Sequence, residues 1–293
     1  MNAVETQKLT KYYGKNRGIL NLDLTVGEGE CFGFIGPNGA GKSTTIRTLL
    51  GLLSPTSGSA RIFGKDVVKE KESVLRETGY LPSEVTFWPG MRVREILRLS
   101  ADLRGKDCAE EAGRLCERLR LDPSAKADEL SYGNRKKAAI VCALQSRPRL
   151  LVLDEPTGGL DPLMQHEFFE IIRERNRDGA TILFSSHILS EVQRNCTRAA
   201  VIREGGIIAC GSVEDLAKTN ARRVSVCGAV NLDGLEGVRD LTAAGRTVSF
   251  LYSGDMNVLL RRLSEGDVAD LSVSEPGLEE IFLHFYEKGG EKA

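Results

Sequence analysis

The sequence predicts an α/β protein built on a doubly wound, largely parallel sheet, with a helical insert and a small α+β accessory domain. Short apolar runs typical of buried strands, such as CFGFI (31–35) and LLVLD (150–154), alternate with segments of helical periodicity. Strands that alternate with helices favour parallel pairing, with helices on both faces of the sheet. The length of 293 residues fits one or two domains.

The first part of the chain is predicted to hold short strands followed by one helix. ILNLDLTV (19–26) alternates apolar and polar residues, which indicates a half-buried strand, and 31–35 is an apolar run. A helix is predicted over 42–50, with Gly51 as its C-terminal stop. SGSARIFG (57–64) is predicted to form another strand.

A helical insert is predicted over about 83–148. Segments 95–103 and 109–121 show helical spacing with charged outer faces, and no strand is predicted within the insert. The strands after it are predicted at 150–154, 181–185, 199–203 and 206–210. The insert therefore interrupts a single α/β domain over 1–219.

The last part of the chain, 220–293, is predicted to be a C-terminal accessory domain of α+β type. RRVSVCG and RTVSFLY are predicted strands, and MNVLLRRLSEG is a predicted helix. A final helix is predicted in EPGLEEIFLHFYEK, with Pro276 near its start. The boundary between the two domains is placed within 217–221.

Charge and hydropathy narrow the function classes. The chain carries 40 Lys and Arg against 41 Asp and Glu, so no basic excess points to nucleic-acid binding. No run of about 18 uncharged apolar residues occurs, so no membrane-spanning helix is predicted, and the N-terminal residues do not resemble a signal peptide. The seven cysteines contain no CxxC pair, which favours buried thiols in a reducing cytosol.

A phosphate-binding loop is predicted at GPNGAGKST (36–44), hereafter the phosphate loop. It matches G-x-x-x-x-G-K-[ST] and lies between an apolar strand and a helix. Its glycines let successive N–H groups face phosphate oxygens at a helix N-terminus. Lys42 is predicted to reach the β- and γ-phosphates, and Ser43 to bind Mg²⁺. The predicted nucleotide-binding residues of the loop are Gly36, Pro37, Asn38, Gly39, Ala40, Gly41, Lys42, Ser43 and Thr44.

Two carboxylates are predicted to lie opposite this loop. The apolar strand in LLVLDEPT (150–157) ends at Asp154, and ligands of such sheets bind at the carboxyl ends of the strands. Asp154 is therefore a predicted Mg²⁺ ligand, directly or through water. Glu155 is suited to act as the general base on the attacking water.

Together these motifs resemble the nucleotide-binding subunit of an ABC transporter over about residues 3–218. The resemblance implies a P-loop NTPase of ABC type with a helical signature subdomain, which hydrolyses ATP with Mg²⁺. It implies that Tyr13, with Tyr12 as the alternative, stacks on adenine. It also implies that Asp161 lies in a loop crossing a dimer, and that His187 contacts the γ-phosphate.

Two segments depart from the family pattern. LSYGN (130–134), hereafter the signature segment, resembles the LSGGQ motif, and the resemblance implies that Ser131 and Gly133 contact ATP held by a second subunit. Tyr132 replaces a glycine and Asn134 a glutamine. In the loop after TGYL, Ser83 takes the place of a glutamine that touches Mg²⁺ and the membrane partner, so any Mg²⁺ contact from Ser83 is expected through water.

The resemblance also implies partners and a location. Two such subunits bind two ATP molecules between them, with a homodimer expected and a heterodimer left open. A separate multi-pass permease carries the substrate, and the subunit lies on the cytoplasmic face of the membrane. The C-terminal extension is similar to those of drug and antibiotic exporters. The alternative is a soluble ABC-type ATPase with a regulatory or non-transport role; a P-loop kinase is disfavoured by the order of the motifs.

Overall fold

The computed structural model describes residues 1–217 and 222–274. The chain divides into two compact units, Met1–Val213 and Glu214–Ala293, whereas sequence analysis placed the boundary after residue 219. The helix expected in EPGLEEIFLHFYEK lies outside the described residues.

The elements of the described residues are numbered in chain order. The strands are β1 (Asn2–Tyr13), β2 (Asn16–Leu22), β3 (Thr25–Gly27), β4 (Cys31–Ile35), β5 (Ser57–Ile62), β6 (Lys65–Asp66), β7 (Thr78–Leu81), β8 (Leu150–Asp154), β9 (Thr181–Ser186), β10 (Arg198–Arg203), β11 (Gly206–Ser212), β12 (Arg222–Ala229), β13 (Val238–Ala244), β14 (Thr247–Tyr252) and β15 (Asp267–Ser274). The helices are α1 (Lys42–Leu49), α2 (Lys71–Glu77), α3 (Val93–Asp102), α4 (Ala109–Arg118), α5 (Tyr132–Leu144), α6 (Pro162–Arg177), α7 (Leu189–Asn195), α8 (Val213–Ala217) and α9 (Met256–Ser264).

The central sheet of the first unit has the order β11-β10-β4-β9-β8-β7. All neighbouring pairs from β10 to β7 are parallel, and only the β10–β11 hairpin is antiparallel. Every residue of β4, β8 and β9 is buried. Their apolar runs match the pattern of parallel strands covered on both faces, which confirms the expected α/β class.

A second, antiparallel sheet of this unit has the order β2-β1-β5-β6, with β3 also paired to β1. The single strand expected over 19–26 was wrong, because the run divides between β2 and β3. The hydroxyl of Thr6 lies at the division: it donates to the carbonyl of Leu22 at 2.7 Å and accepts from the N–H of Leu24 at 2.8 Å. The side chain thus adds two hydrogen bonds to the backbone hydrogen bond from the N–H of Thr6 to the carbonyl of Leu24.

The helical insert consists of α3, α4 and α5 between β7 and β8, with a 3₁₀ turn at Ala127–Glu129. Arginine–glutamate pairs join it to the rest of the unit. Arg118 of α4 contacts Glu167 and Glu174 of α6, each at 2.6 Å. Ion pairs, and not only apolar contacts, therefore hold α4 beside α6.

The described part of the second unit is a four-stranded antiparallel sheet of order β13-β14-β12-β15, with helix α9. The core of this unit is formed by Val224, Val226, Phe250, Tyr252, Leu259 and Leu263. The two strands and the helix expected between 222 and 266 are present as β12, β14 and α9. Strands β13 and β15 were not expected.

Candidate functional site

The phosphate loop connects β4 to α1, as the motif requires. Gly41 lies at the N-cap of α1 with φ of 111°, and Gly39 has φ of 79°; these are left-handed conformations that favour glycine. A Cβ on Gly36 would lie 2.5 Å from the carbonyl oxygen of Ile202. The backbone is thus folded too tightly for a side chain at Gly36, and Gly41 offers no side chain to cap the first N–H groups of α1.

Lys42 is the first residue of α1 and is almost fully buried, with 4% of its surface exposed. Its Nζ donates to the carbonyl of Gly36 at 2.7 Å and to that of Pro37 at 3.2 Å. The same Nζ lies 3.2 Å from Oε1 of Glu155. The ammonium of Lys42 is therefore held against the phosphate loop and next to the carboxylate of Glu155.

Asp154 ends β8 and is completely buried. Its Oδ1 accepts a hydrogen bond from the hydroxyl of Ser185 at 2.7 Å. Its Oδ2 is buried and has no hydrogen-bond partner among the described residues. An unpartnered buried carboxylate oxygen is costly unless it is compensated, most simply by a cation.

A magnesium ion fits this donor set. Residues 1–217 and 222–274 contain no group of three or more His, Cys, Asp or Glu side chains that could enclose a metal. Mg²⁺ needs no such cage, because it commonly uses one or two protein oxygens together with water and substrate phosphates. The carboxylate of Asp154 and the hydroxyl of Ser43 are donors of that kind.

Glu155 occupies a strained backbone position beside Asp154, with φ of 46°. A non-glycine residue in this region is uncommon and is held there by its surroundings. Its N–H donates to both the carbonyl and the hydroxyl of Ser185, at 3.2 Å each. Its Oε1 lies 3.5 Å from Nδ1 of His187. The carboxylate thus lies between Lys42 and His187, which are the two other residues with predicted catalytic roles.

Tyr13 lies close to the start of α1, as its predicted role requires. A Cβ on Gly18 would lie 3.0 Å from Cε2 of Tyr13 and 3.2 Å from Cγ2 of Thr44. The side chain of Tyr13 is 45% exposed, which leaves a surface available for a planar ligand. The alternative, Tyr12, is 39% exposed, and its N–H donates to the hydroxyl of Thr56. Tyr13, with Tyr12 as the alternative, stays a prediction.

The signature segment begins α5. The hydroxyl of Ser131 accepts from the N–H of Asn134 at 3.3 Å, so Ser131 is the N-cap. Tyr132 packs on the loop that follows β8, because a Cβ on Gly159 would lie 2.2 Å from two carbons of the Tyr132 ring. A Cβ on Gly133 would lie 2.7 Å from the carbonyl oxygen of Gly159. The departure at Tyr132 therefore joins the signature segment to the GGLD loop.

Asp161 ends that GGLD loop and caps α6. Its Oδ1 accepts from the N–H of Met164 at 3.0 Å, and Pro162 occupies the first position of the helix. Ser83 is half-buried, and its carbonyl accepts a hydrogen bond from Lys136 at 3.1 Å. Both residues lie in loops next to the site, and their contacts within the chain are structural ones.

Sequence reasoning missed two residues of the site. Ser185 was not among the predicted site residues, yet its hydroxyl contacts Asp154, and its hydroxyl and carbonyl both accept from the N–H of Glu155. Its signal was positional, since Ser185 is the cross-strand partner of Asp154 in the β8–β9 pair. Lys136 was not predicted to belong to the site, yet it is 1% exposed and donates to the carbonyl of Glu155. It shares a helical face with the buried Ile140 and Ala143, and that spacing was its signal.

Comparison with known proteins agrees with this geometry. A family model described as ABC transporter matches residues 19–158. The bacitracin transport ATP-binding protein BcrA of Bacillus licheniformis is 32% identical, over 96% of this chain and 96% of that protein. The chain belongs to the ATP-binding subunits of ABC transporters. Its first unit is an ABC ATPase cassette.

Other ABC transporter subunits are similar over comparable lengths. The Nod factor export ATP-binding protein I of Cupriavidus metallidurans is 34% identical, over 97% of each chain. The solved structure of an ATP-binding subunit of an ABC transporter has 33% identity and a TM-score of 0.69, covering 74% of this chain and 92% of that one. The expected fold, a P-loop NTPase of ABC type, is confirmed by this likeness.

Proposed function

We propose that this ABC ATPase binds Mg²⁺ with ATP at the phosphate loop and powers export of a substrate through a separate membrane permease. The observation that carries the proposal is the convergence of Lys42, Asp154, Glu155 and His187 at the end of the phosphate loop. Oε1 of Glu155 lies 3.2 Å from Nζ of Lys42 and 3.5 Å from Nδ1 of His187. The fourth, Asp154, presents a buried oxygen with no partner among the described residues.

The residues divide the chemistry as follows. The N–H groups of the phosphate loop and the ammonium of Lys42 bind the β- and γ-phosphates. Asp154 and Ser43 hold Mg²⁺, which neutralises phosphate charge when bound. Glu155 accepts a proton from the attacking water, and His187 donates a hydrogen bond to a γ-phosphate oxygen. Tyr13 stacks on the adenine ring. Any contact of Ser83 with Mg²⁺ is through a water molecule.

The active assembly is a pair of subunits, with a homodimer favoured. In the family arrangement, Ser131 and Gly133 of one subunit contact the ATP of the other, and Asp161 lies at the crossing point between them. The placement supports this, because the signature segment and the GGLD loop pack together through Tyr132. One chain carries every part needed for two identical sites.

A surface groove lined partly by the helical insert is the proposed docking site of the permease. The groove, of about 880 Å³, is formed by α2, β7, α3 and the loop after β7. Trp88 at its rim is 70% exposed and Leu103 is 77% exposed. Exposed apolar side chains around a groove are typical of protein interaction sites. Among residues 1–217 and 222–274, no helix has the length and apolar character to cross a bilayer.

Export is favoured over import by the relatives. BcrA is named for bacitracin transport, and the Nod factor export ATP-binding protein I is named for export. We extend the export direction to this chain, together with a location at the cytoplasmic face of the membrane. We also propose that residues 220–293 form an accessory domain outside the ATPase cassette.

Co-purification tests this function directly. The full chain, tagged at its C-terminus and expressed at native level, is isolated from membranes in mild detergent, and its partners are identified by mass spectrometry. We expect a multi-pass membrane protein in stoichiometric amount. A chain that hydrolyses ATP but is recovered without any membrane partner would favour the alternative, a regulatory or non-transport ABC ATPase.

A further inference from the structure

Lys136 of α5 is a buried lysine whose hydrogen bonds connect three parts of the first unit. Its Nζ donates to the carbonyl oxygens of Pro82 at 2.9 Å, Ser83 at 3.1 Å and Glu155 at 3.0 Å. A lysine ammonium has three hydrogens, so all of them are used. Two acceptors lie in the loop after β7, and the third is the peptide carbonyl of the proposed general base.

This burial is energetically demanding. Burial lowers the pKa of Lys136 to about 8, although the nearby carboxylates of Asp154 and Glu155 raise it. The ammonium form still predominates at neutral pH. Among the described residues, Lys136 lies within ion-pair distance of no carboxylate. A buried charge paired only with carbonyls is not an efficient source of stability, because an apolar side chain of similar volume often serves equally well.

We propose that Lys136 is a positioning residue for ATP hydrolysis: it holds the backbone of Glu155 in its active conformation and ties that conformation to the loop after β7. The proposal rests on the proposed role of Glu155 as general base. The peptide N–H of Glu155 is held by Ser185 and its carbonyl by Lys136. Both sides of a left-handed residue are thereby fixed, which sets the direction of its carboxylate.

The second half of the proposal concerns the groove. Pro82 and Ser83 directly precede the segment that carries Phe87 and Trp88, and that segment lines the groove proposed for the permease. A movement of this loop changes two of the three acceptors of Lys136. The remaining acceptor belongs to Glu155, so the loop and the general base share one ammonium. An occupant of the groove that moves this loop therefore also affects the backbone of Glu155 through Lys136.

The decisive variant is Lys136→Met, which keeps the volume of the side chain and removes all three donors. Its matched control is Lys137→Met, at the next position of the same helix, where the side chain is only partly buried. Both are made in the full chain, and ATP hydrolysis is measured per nucleotide-binding site, so that unfolded protein does not enter the rate. Lys136→Gln, which retains two donors, serves as the milder variant.

For Lys136→Met we expect kcat to fall at least tenfold, while ATP affinity, measured with a fluorescent ATP analogue, stays within twofold. The kcat of Lys136→Gln is expected to lie between those of Lys136→Met and the parent. The kcat of Lys137→Met is expected to equal that of the parent. Adding Lys136→Met to Glu155→Gln is expected to lower the residual rate no further, because the two residues act through one group. This non-additivity separates positioning from a general loss of structure.

Three results would overturn the proposal. The first is a parental kcat in Lys136→Met. The second is a loss of ATP affinity equal to the loss of kcat. The third is a full additional loss when Lys136→Met is combined with Glu155→Gln. If Glu155→Gln itself hydrolyses ATP at the parental rate, the proposed role of Glu155 fails, and that outcome is distinct from the other three.

Discussion

Charged side chains are buried in two regions of the first unit, and the two regions pair them differently. Around Asp154, Lys42 is bound by two backbone carbonyls and by Glu155, Lys136 is bound by backbone carbonyls alone, and Asp154 keeps one oxygen without a partner among the described residues. In the helical insert, Glu111 of α4 is bound by Arg114, Arg147 and Arg175. Each of these four side chains lies beside an opposite charge.

The difference teaches how a site of chemistry can be told from a structural cluster. Around Glu111 both carboxylate oxygens are hydrogen-bonded to arginines, so the carboxylate leaves no oxygen free for a cation. Around Asp154 the ammonium groups of Lys42 and Lys136 are fixed mainly by neutral carbonyls, with Glu155 also paired to Lys42. One oxygen of Asp154 therefore stays available to a cation. The distinguishing feature is therefore the partner of each buried charge, and not the number of charges.

The largest effect is expected from Asp154→Asn. The amide retains an acceptor for the hydroxyl of Ser185 but loses the charge that binds Mg²⁺. We expect the rate of hydrolysis to fall roughly 10³-fold, about 4 kcal/mol of transition-state stabilisation. The measurement is the ATPase rate over a range of Mg²⁺ concentrations. A variant with the parental rate at low Mg²⁺ would show that Asp154 is not a ligand.

The next effect tests the structural region. Glu111→Gln leaves Arg175, which is 4% exposed, without its charge partner, and we expect a loss of about 3 kcal/mol in the free energy of unfolding at pH 7. Hydrolysis per folded molecule is expected to stay within twofold of the parent. Denaturant unfolding and the ATPase rate, measured on the same preparation, check both statements.

The same variant has a defined pH dependence. Burial alone raises the pKa of Glu111, but hydrogen bonds from three arginines outweigh this and lower it to about 2. A depressed carboxylate pKa contributes stability above the unfolded value, near 4.5, and this contribution is lost as the pH falls towards 2. The stability difference between parent and Glu111→Gln is thus expected to be constant near neutral pH and to shrink below about pH 4.5. A difference that persisted unchanged at pH 3 would contradict the assignment.

A comparable effect is expected for Ser131→Arg. It is measured in protein that also carries Glu155→Gln, because this second change slows hydrolysis and keeps ATP bound. The bulky cation replaces the hydroxyl that caps α5 and blocks the signature segment. We expect the ATP-induced dimer to weaken at least about 100-fold, or about 2.7 kcal/mol. Sedimentation velocity with and without ATP measures it, and an unchanged dimer would remove the signature segment from the interface.

The smallest effect is expected for Tyr132→Ala. The ring packs on Gly159, so its removal loosens the contact between the signature segment and the GGLD loop without touching the phosphate loop. We expect hydrolysis to fall about threefold to tenfold, equivalent to about 1 kcal/mol, with ATP affinity of the monomer unchanged. Loss of ATP binding by the monomer would instead place Tyr132 in the subunit's own site.

Much of this fold is readable from sequence where both faces of an element are buried. The predicted bounds of β4 and β8 agree with the structure because each is a continuous apolar run between turn residues. Strands β13 and β15 were missed because nearly all their residues are exposed or half-buried, so no apolar run marks them. Runs and alternations of apolar residues in the sequence reflect burial, so weakly buried strands show little of either.

The site shows the same limit in another form. The phosphate loop, Asp154 and Glu155 were located from motifs, since their spacing is local in sequence. The roles of Ser185 and Lys136 depend on contacts across 31 and 54 residues, set by sheet register and by helix packing. Lysine is usually exposed, and only the tertiary fold shows that Lys136 is buried.

The most direct test compares one residue from each region. Glu155→Gln and Glu111→Gln make the same chemical change, and each is assayed for ATP hydrolysis and for the free energy of unfolding. We predict that Glu155→Gln lowers kcat by about 10³-fold with little loss of stability, whereas Glu111→Gln does the reverse. Equal losses of rate in both variants, or a rate loss only in Glu111→Gln, would contradict the distinction between the two regions.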